Sequence, residues 1–382
     1  MTAVYLDYNA TTPLDPEARA EMDACLDRSF ANPSSIHAAG REARRIVDMA
    51  RERVARLIGA RPEEIIFTGG GTEANNLAIL GGLAAPEGKR RRILTTAIEH
   101  QAVLNPCRHL EKSGWAVTFL PVDRQGRLDP ATVSAALGED TALVSVMLAN
   151  NDIGTVEPVA EISPLARARG VLFHTDAVQA AGKIPVDVKK LGVDLLSFSA
   201  HKLHGPKGAG ALWVRAGTRL FPLFFGGHQE RGLRPGTENV AAIAGFGKAC
   251  ELAAARREED AARLTALRAA FEEAVRRGIS GAVINGEGAE RLPNTSNICF
   301  DGLDGELLVI NLDLLGVEAS TGAACGAGSR EPSHVLLALG RSAPEARSAV
   351  RFSFGRGTTT DEATRAFETL RRAIKNMRES RR

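Results

Sequence analysis

Six short apolar runs, at 65–68, 93–96, 116–120, 143–148, 171–174 and 195–199, punctuate the chain between residues 65 and 199. Segments with helical spacing, such as 38–57 and 162–168, lie between them. Strands alternating with helices imply a mainly parallel sheet with helices on both faces, and so an α/β architecture. A further run at 211–214 reads as an antiparallel addition, giving a sheet of the seven-stranded type. Residues 251–276, rich in Ala, Arg and Glu, read as a long helix leaving this large domain. Strand, helix and strand at 296–300, 307–315 and 350–354 then describe a smaller α+β domain. The expected boundaries are 13–255 for the large domain, and 1–12 with 256–382 for the small one. The first dozen residues either join the small domain or line the site.

The segment Ser199-Ala200-His201-Lys202-Leu203-His204-Gly205-Pro206 follows the run at 195–199. A lysine at a strand end, beside histidines and before a Gly-Pro break, is an unusual place for a solvated charge. Such an amine can lose its proton and capture an aldehyde as a Schiff base. Pyridoxal 5'-phosphate (PLP) is the natural aldehyde partner, and the rest of the chain supplies what that cofactor needs. Asp176 ends another apolar run and offers a carboxylate for the pyridine nitrogen, which keeps the ring an electron sink. Ligands in open α/β sheets gather at the carboxyl ends of strands, where Asp176 and Lys202 both fall. Gln179 lies three residues further on, within reach of the ring's phenolic oxygen.

Phe67-Thr68-Gly69-Gly70-Gly71-Thr72 runs from strand to helix through glycines. Free N–H groups at a helix N-terminus hold phosphate, with Gly71 and Thr72 as candidates and Ser199 and His201 completing the shell. His100 follows the run at 93–96, placed to stack on the ring and carry protons. Taken alone, Asp176 also fits a helix cap, the glycines a tight turn and His100 a structural imidazole.

Together these residues resemble the class V aminotransferase superfamily of PLP fold-type I, and within it the cysteine desulfurases of the NifS/IscS type. The resemblance begins at Tyr5-Leu6-Asp7-Tyr8-Asn9-Ala10-Thr11-Thr12 and Ala31-Asn32-Pro33-Ser34-Ser35-Ile36-His37. It continues through Asn150-Asn151-Asp152-Ile153-Gly154, His174-Thr175-Asp176-Ala177-Val178-Gln179 and Ser199-Ala200-His201-Lys202. It ends with Ser320-Thr321-Gly322-Ala323-Ala324-Cys325 and Arg351-Phe352-Ser353-Phe354-Gly355-Arg356. The resemblance implies that Lys202 holds the cofactor, that Asp176, Gln179 and His100 face its ring, and that Thr72, Ser199 and His201 hold its phosphate. It implies that Thr237 reaches the phosphate of a second subunit, hence a homodimer. Asn151 and Arg351 would bind the carboxylate of L-cysteine, and guanidinium suits that bidentate contact.

Cys325 sits among small residues and glycines, without the bulky neighbours of a buried structural cysteine such as Cys299. A loop thiol of that kind is the better nucleophile. By the resemblance, Lys202 moves the substrate's α-proton, Cys325 takes its sulfur as a persulfide, and L-alanine leaves. An iron–sulfur scaffold protein or another sulfur acceptor receives the sulfur. A selenocysteine lyase and an aminotransferase of the same class share most of these residues and are the alternatives. Gly326-Ala327-Gly328 and Arg330 depart from the family's usual pattern after the cysteine, which puts the acceptor preference in doubt.

The net charge of +2 points to no polyanion, so no nucleic-acid partner is expected. No apolar run reaches the ~18 residues that a membrane span requires. The N-terminus lacks a signal pattern, and a reducing cytoplasm suits a catalytic thiol. Five scattered cysteines without a CxxC pair argue against a metal site or a disulfide framework. The basic tail, 371–382, reads either as a solvated helix end or as a docking patch for an acidic partner.

Overall fold

The computed structural model describes residues 3–84, 90–322 and 331–380 of the chain. Its strands, in order, are β1 (Val4–Tyr5), β2 (Ile65–Thr68), β3 (Arg92–Thr96), β4 (Ala116–Leu120), β5 (Thr141–Ser145) and β6 (Leu172–Asp176). They continue with β7 (Leu195–Ser199), β8 (Gly210–Val214), β9 (Ala282–Asn285), β10 (Thr295–Phe300), β11 (Val317–Glu318) and β12 (Ala349–Ser353). Seven of them form one sheet in the order β2-β8-β7-β6-β5-β3-β4. The pairs from β7 across to β4 are parallel, and β8 runs antiparallel to both of its neighbours. The expected mainly parallel, seven-stranded sheet is therefore present. Helices cover both faces, so a strand such as β7 is buried along its whole length and reads as a continuous apolar run.

A second, antiparallel sheet, β12-β10-β9, and the parallel pair β1-β11 lie beside it. Each sheet has its own core. Phe173, Phe198 and Phe246 belong to the first, and Phe300, Phe352 and Phe354 to the second. The helix Val240–Gly278 serves both, giving Val240 to Ala253 to one core and Leu264, Leu267, Phe271 and Val275 to the other. It starts eleven residues before the expected 251, capped by the Asn239 side chain, which accepts from the Ala242 amide. Its first turns are buried nearly all round, so they carry no amphipathic stripe to announce a helix. Close packing explains their small residues: a Cβ on Gly247 would stand 2.7 Å from the Ala50 Cα of the helix Ala38–Leu57.

The run expected at 143–148 forms strand only over Thr141–Ser145. Beyond it, the amides of Val146 and Leu148 still bond the carbonyls of His174 and Asp176, so the chain continues alongside β6. The first residues touch both cores' neighbourhoods: Val4 and Leu6 pack in the second core. β1 pairs with β11, and Asn9, Ala10 and Thr11 then line the large cleft at the end of the main sheet's central strands. Residues 371–379 of the basic tail fall in the helix Thr360–Glu379, whose apolar stripe packs on the second core. Among the described residues, no helix is long and apolar enough to cross a membrane.

Candidate active site

The carboxyl ends of β2, β3, β5, β6 and β7 open onto one large cleft, closed on the far side by Arg351 of β12. Gly71, Thr72, His100, Asn151, Asp176, Gln179, Ser199, His201, Lys202 and Arg351 all line it. Adjacent parallel strands β6 and β7 place Asp176 and Lys202 there, the second on a 3-10 turn, Ala200–Lys202.

Asp176 is buried. Its Oδ1 accepts from the Val178 amide at 2.9 Å and its Oδ2 from Asn75 Nδ2 at 2.6 Å. Burial raises its pKa, opposed by the charges of His100 and Lys202 and by these two donors. A cation in the cleft would restore its ionised form. Burial likewise pushes the His100 imidazole down, while Asp176 pulls it up. His100 caps the helix Gln101–Lys112, its Nδ1 accepting from the Ala102 amide at 3.1 Å, which fixes the ring at the cleft wall. Lys202 Nζ donates to the carbonyls of Asn9 and Ala10 at 2.6 and 2.7 Å.

The glycine turn is shaped by close approach. Gly70 has φ +152°, which L side chains rarely adopt. A Cβ on Gly71 would lie 2.7 Å from Val178 Cγ2, and one on Gly210 would lie 2.7 Å from the Gly70 backbone. Backbone rather than side chain therefore forms this wall, at the start of the helix Gly71–Asn76 and opposite Ser199. His201 Nδ1 is 3.1 Å from Thr11 Oγ1, and burial pushes its pKa down to about 4.

Arg351, nearly inaccessible, donates from Nη2 to Asp7 Oδ1 at 2.7 Å and from Nη1 to the Asn151 carbonyl at 3.1 Å. Its Nε is buried without a hydrogen-bond partner. The resemblance pictured it as the binder of a substrate carboxylate. The structure adds that it is already held by a carboxylate of the chain.

Two expected residues stand apart from this cluster. Thr237 is exposed, in the loop before the helix Val240–Gly278, and does not line the cleft. Cys325 lies outside the described residues; Gly322 before it and Glu331, Pro332 and Ser333 after it line the cleft. Asn9 was quoted within a motif but given no role. It bonds Ser353 through its amide, Thr295 and the Asn151 carbonyl through Nδ2, and accepts from Gln179 and Lys202 at its carbonyl. No local pattern marks such a hub, because its partners are 142 to 344 positions away.

This fold and cleft define an α/β enzyme whose chemical groups stand at the carboxyl ends of parallel strands. The chain belongs to the aminotransferase class-V family, whose model matches residues 4–365. It is 50% identical over 375 residues to the cysteine desulfurase IscS of Dictyoglomus turgidum, a match spanning 98% of this chain and 95% of that protein. A solved NifS-like protein matches with a TM-score of 0.92 at 37% identity, over 98% of this chain and 100% of that one. SspA, solved in complex with cysteine, matches with a TM-score of 0.82 at 36% identity, over 92% of this chain and 98% of that one.

Proposed function

We propose that this enzyme is a PLP-dependent cysteine desulfurase, which converts L-cysteine to L-alanine and leaves the sulfur as a persulfide on Cys325. The observation that carries the reading is the meeting of Lys202 and Asp176, from adjacent strands, beside a glycine turn at a helix N-terminus. The residues fit the cofactor. Asp176 is a buried carboxylate that needs a positive partner from the cleft, as a protonated ring nitrogen would be. The bare backbone at Gly70 and Gly71 offers amides for a phosphate, with Thr72, Ser199 and His201 around it, while the Gly69 amide is held by Glu73 Oε2 at 2.8 Å. When bound, the cofactor supplies an electron sink for the substrate's α-carbon.

The chain's own groups do the rest. Lys202 Nζ would hold the cofactor and would serve as the base for the substrate's α-proton. Gln179 would hold the ring on its oxygen side, and His100 would hold its face and carry protons. Arg351 and Asn151 hold the substrate carboxylate. The Cys325 thiolate attacks the substrate sulfur; the S–Cβ bond breaks, an S–S bond forms, and a proton completes alanine. The persulfide is a reversible sulfur store, handed to an iron–sulfur scaffold protein or another acceptor.

The reading includes a homodimer, with Thr237 of each copy turned to the other's phosphate site. Phe225, Phe30 and Ile36 are at least 90% exposed, apolar surface that favours a partner. The division into a large domain, 13–255, and a small one, 1–12 with 256–382, and a cytoplasmic setting that keeps the thiol reduced belong to the same proposal.

The test is product analysis with purified protein, L-cysteine and a reductant. Alanine and sulfide should appear in equal amounts, and Cys325→Ser should bind cysteine yet release no sulfide. Full turnover by that variant, or amino transfer to a keto acid in place of sulfide, would contradict the proposal.

A further inference from the structure

Lys183 takes no part in the chemistry above, yet it is built into the site. It follows Gln179 by four residues, and its Nζ donates to Gln179 Oε1 at 2.7 Å and to Asn9 Oδ1 at 3.2 Å. The main-chain carbonyl of the same Asn9 accepts from Lys202 Nζ at 2.6 Å and from Gln179 Nε2 at 2.9 Å. Two lysine amines thus hang on the two carbonyl groups of one asparagine. Both also border a small cavity behind the cleft, and Lys202 borders the cleft as well.

An ammonium group only donates, so Lys183 obliges Gln179 to present its oxygen backwards and its NH2 group to Asn9. Lys183 therefore fixes Gln179 and the side chain of Asn9, the residue whose main-chain carbonyl accepts from Lys202. The charges around the pair are unbalanced. Lys202, His201 and His204 approach from the segment after β7, and Arg351 and Arg356 from β12 and the turn beyond it. The nearby carboxylates are committed: Asp7 binds Arg351 at 2.7 Å, and Asp260, on the long helix, binds Arg356 at 3.0 Å. Asp176 and His100 face Lys202 from the cleft side. Burial first, then the charges of Lys202 and Arg351, hold the Lys183 amine well below its ordinary pKa. Like charges this close disfavour double protonation, and such a pair titrates as a unit.

We propose that Lys183 is a positioning residue for the reactive amine: hung on the same asparagine as Lys202, its like charge disfavours the protonated form of Lys202 and so readies that amine for attack. This rests on the reading of Lys202 as the amine that captures an aldehyde. No covalent bond to carbon changes; the proton that Lys202 does not hold goes to solvent.

The test is made on the full chain freed of cofactor. Trace acetylation with acetic anhydride across a pH series, read at the Lys202 peptide by mass spectrometry, gives the pH at which that amine becomes reactive. Removing the like charge in Lys183→Met should raise this midpoint by about one pH unit. Lys183→Arg, whose guanidinium keeps its proton, should lower it below wild type. A merely structural role would move both variants the same way, towards the ordinary lysine value. A Lys183→Met midpoint equal to wild type, or shifts of the same sign in both variants, overturns the proposal. Should the methionine variant not fold, the arginine variant decides alone: a lowered midpoint supports the proposal, and an unchanged or raised one overturns it. The labelling involves neither cysteine nor sulfide, so its outcome is separate from the test of desulfurase activity.

Discussion

Arg351 Nη2 lies 2.7 Å from Asp7 Oδ1, so the guanidinium that closes the cleft is held by a carboxylate from the N-terminal segment. Asp7 thereby ties the segment after β1 to β12 and sets the direction in which the remaining donors of Arg351 face. Asp7→Asn should leave the charge of Arg351 in place but loosen its aim. The expected result is about a tenfold fall in kcat/KM for cysteine, mostly in KM, equivalent to ~1.4 kcal/mol. Steady-state kinetics of alanine release measure it.

Arg351→Lys keeps a positive charge and loses the planar fork. KM should rise about 10- to 100-fold with a smaller change in kcat, because a lysine cannot pair bidentately with a carboxylate. An unchanged KM would place the substrate carboxylate elsewhere.

Gly71→Ala places a methyl group 2.7 Å from Val178 Cγ2 in the wall where the phosphate is proposed to sit. The turn must shift, and the affinity for PLP should fall about tenfold, the loss of roughly one hydrogen bond's worth of binding. Titration of the cofactor-free protein by fluorescence reports this independently of turnover.

His174 is buried between Ser145 Oγ at 2.8 Å and Ser197 Oγ at 3.0 Å, and burial pushes its pKa down to about 3. In the unfolded chain the imidazole titrates near 6.5, so between those values the unfolded state binds the extra proton. Stability from this group is therefore complete above about pH 6.5 and is lost progressively as the pH falls towards 3. At pH 5 the loss amounts to about 2 kcal/mol. His201 and His204, each pushed down to about 4, act in the same direction. Urea unfolding at pH 8, 6 and 5 should show the decline, and a flat profile would contradict it.

The sheet and the cleft were legible for a shared reason. Asp176, Ser199, Lys202, His100 and the glycine turn each stand at or just after a strand end, where an apolar run breaks into polar residues over a few positions. Parallel strands align those breaks along one edge, so reading the runs located the site. Asn9 and Lys183 escaped the reading because their roles come from packing between distant segments. A half-buried lysine on a turn looks the same in sequence as a solvated one. The first eleven residues of the helix Val240–Gly278 were missed because burial on all sides leaves no periodic stripe. The roles of Thr237 and Cys325 still rest on the family pattern, since one stands outside the cleft and the other outside the described residues.

The most direct test is borohydride reduction of the PLP-loaded enzyme, followed by peptide mapping. We expect the cofactor to be fixed on the ε-amine of Lys202, in the peptide containing Ser199-Ala200-His201-Lys202. Fixation on Lys183 or any other amine, or none at all, would contradict the account.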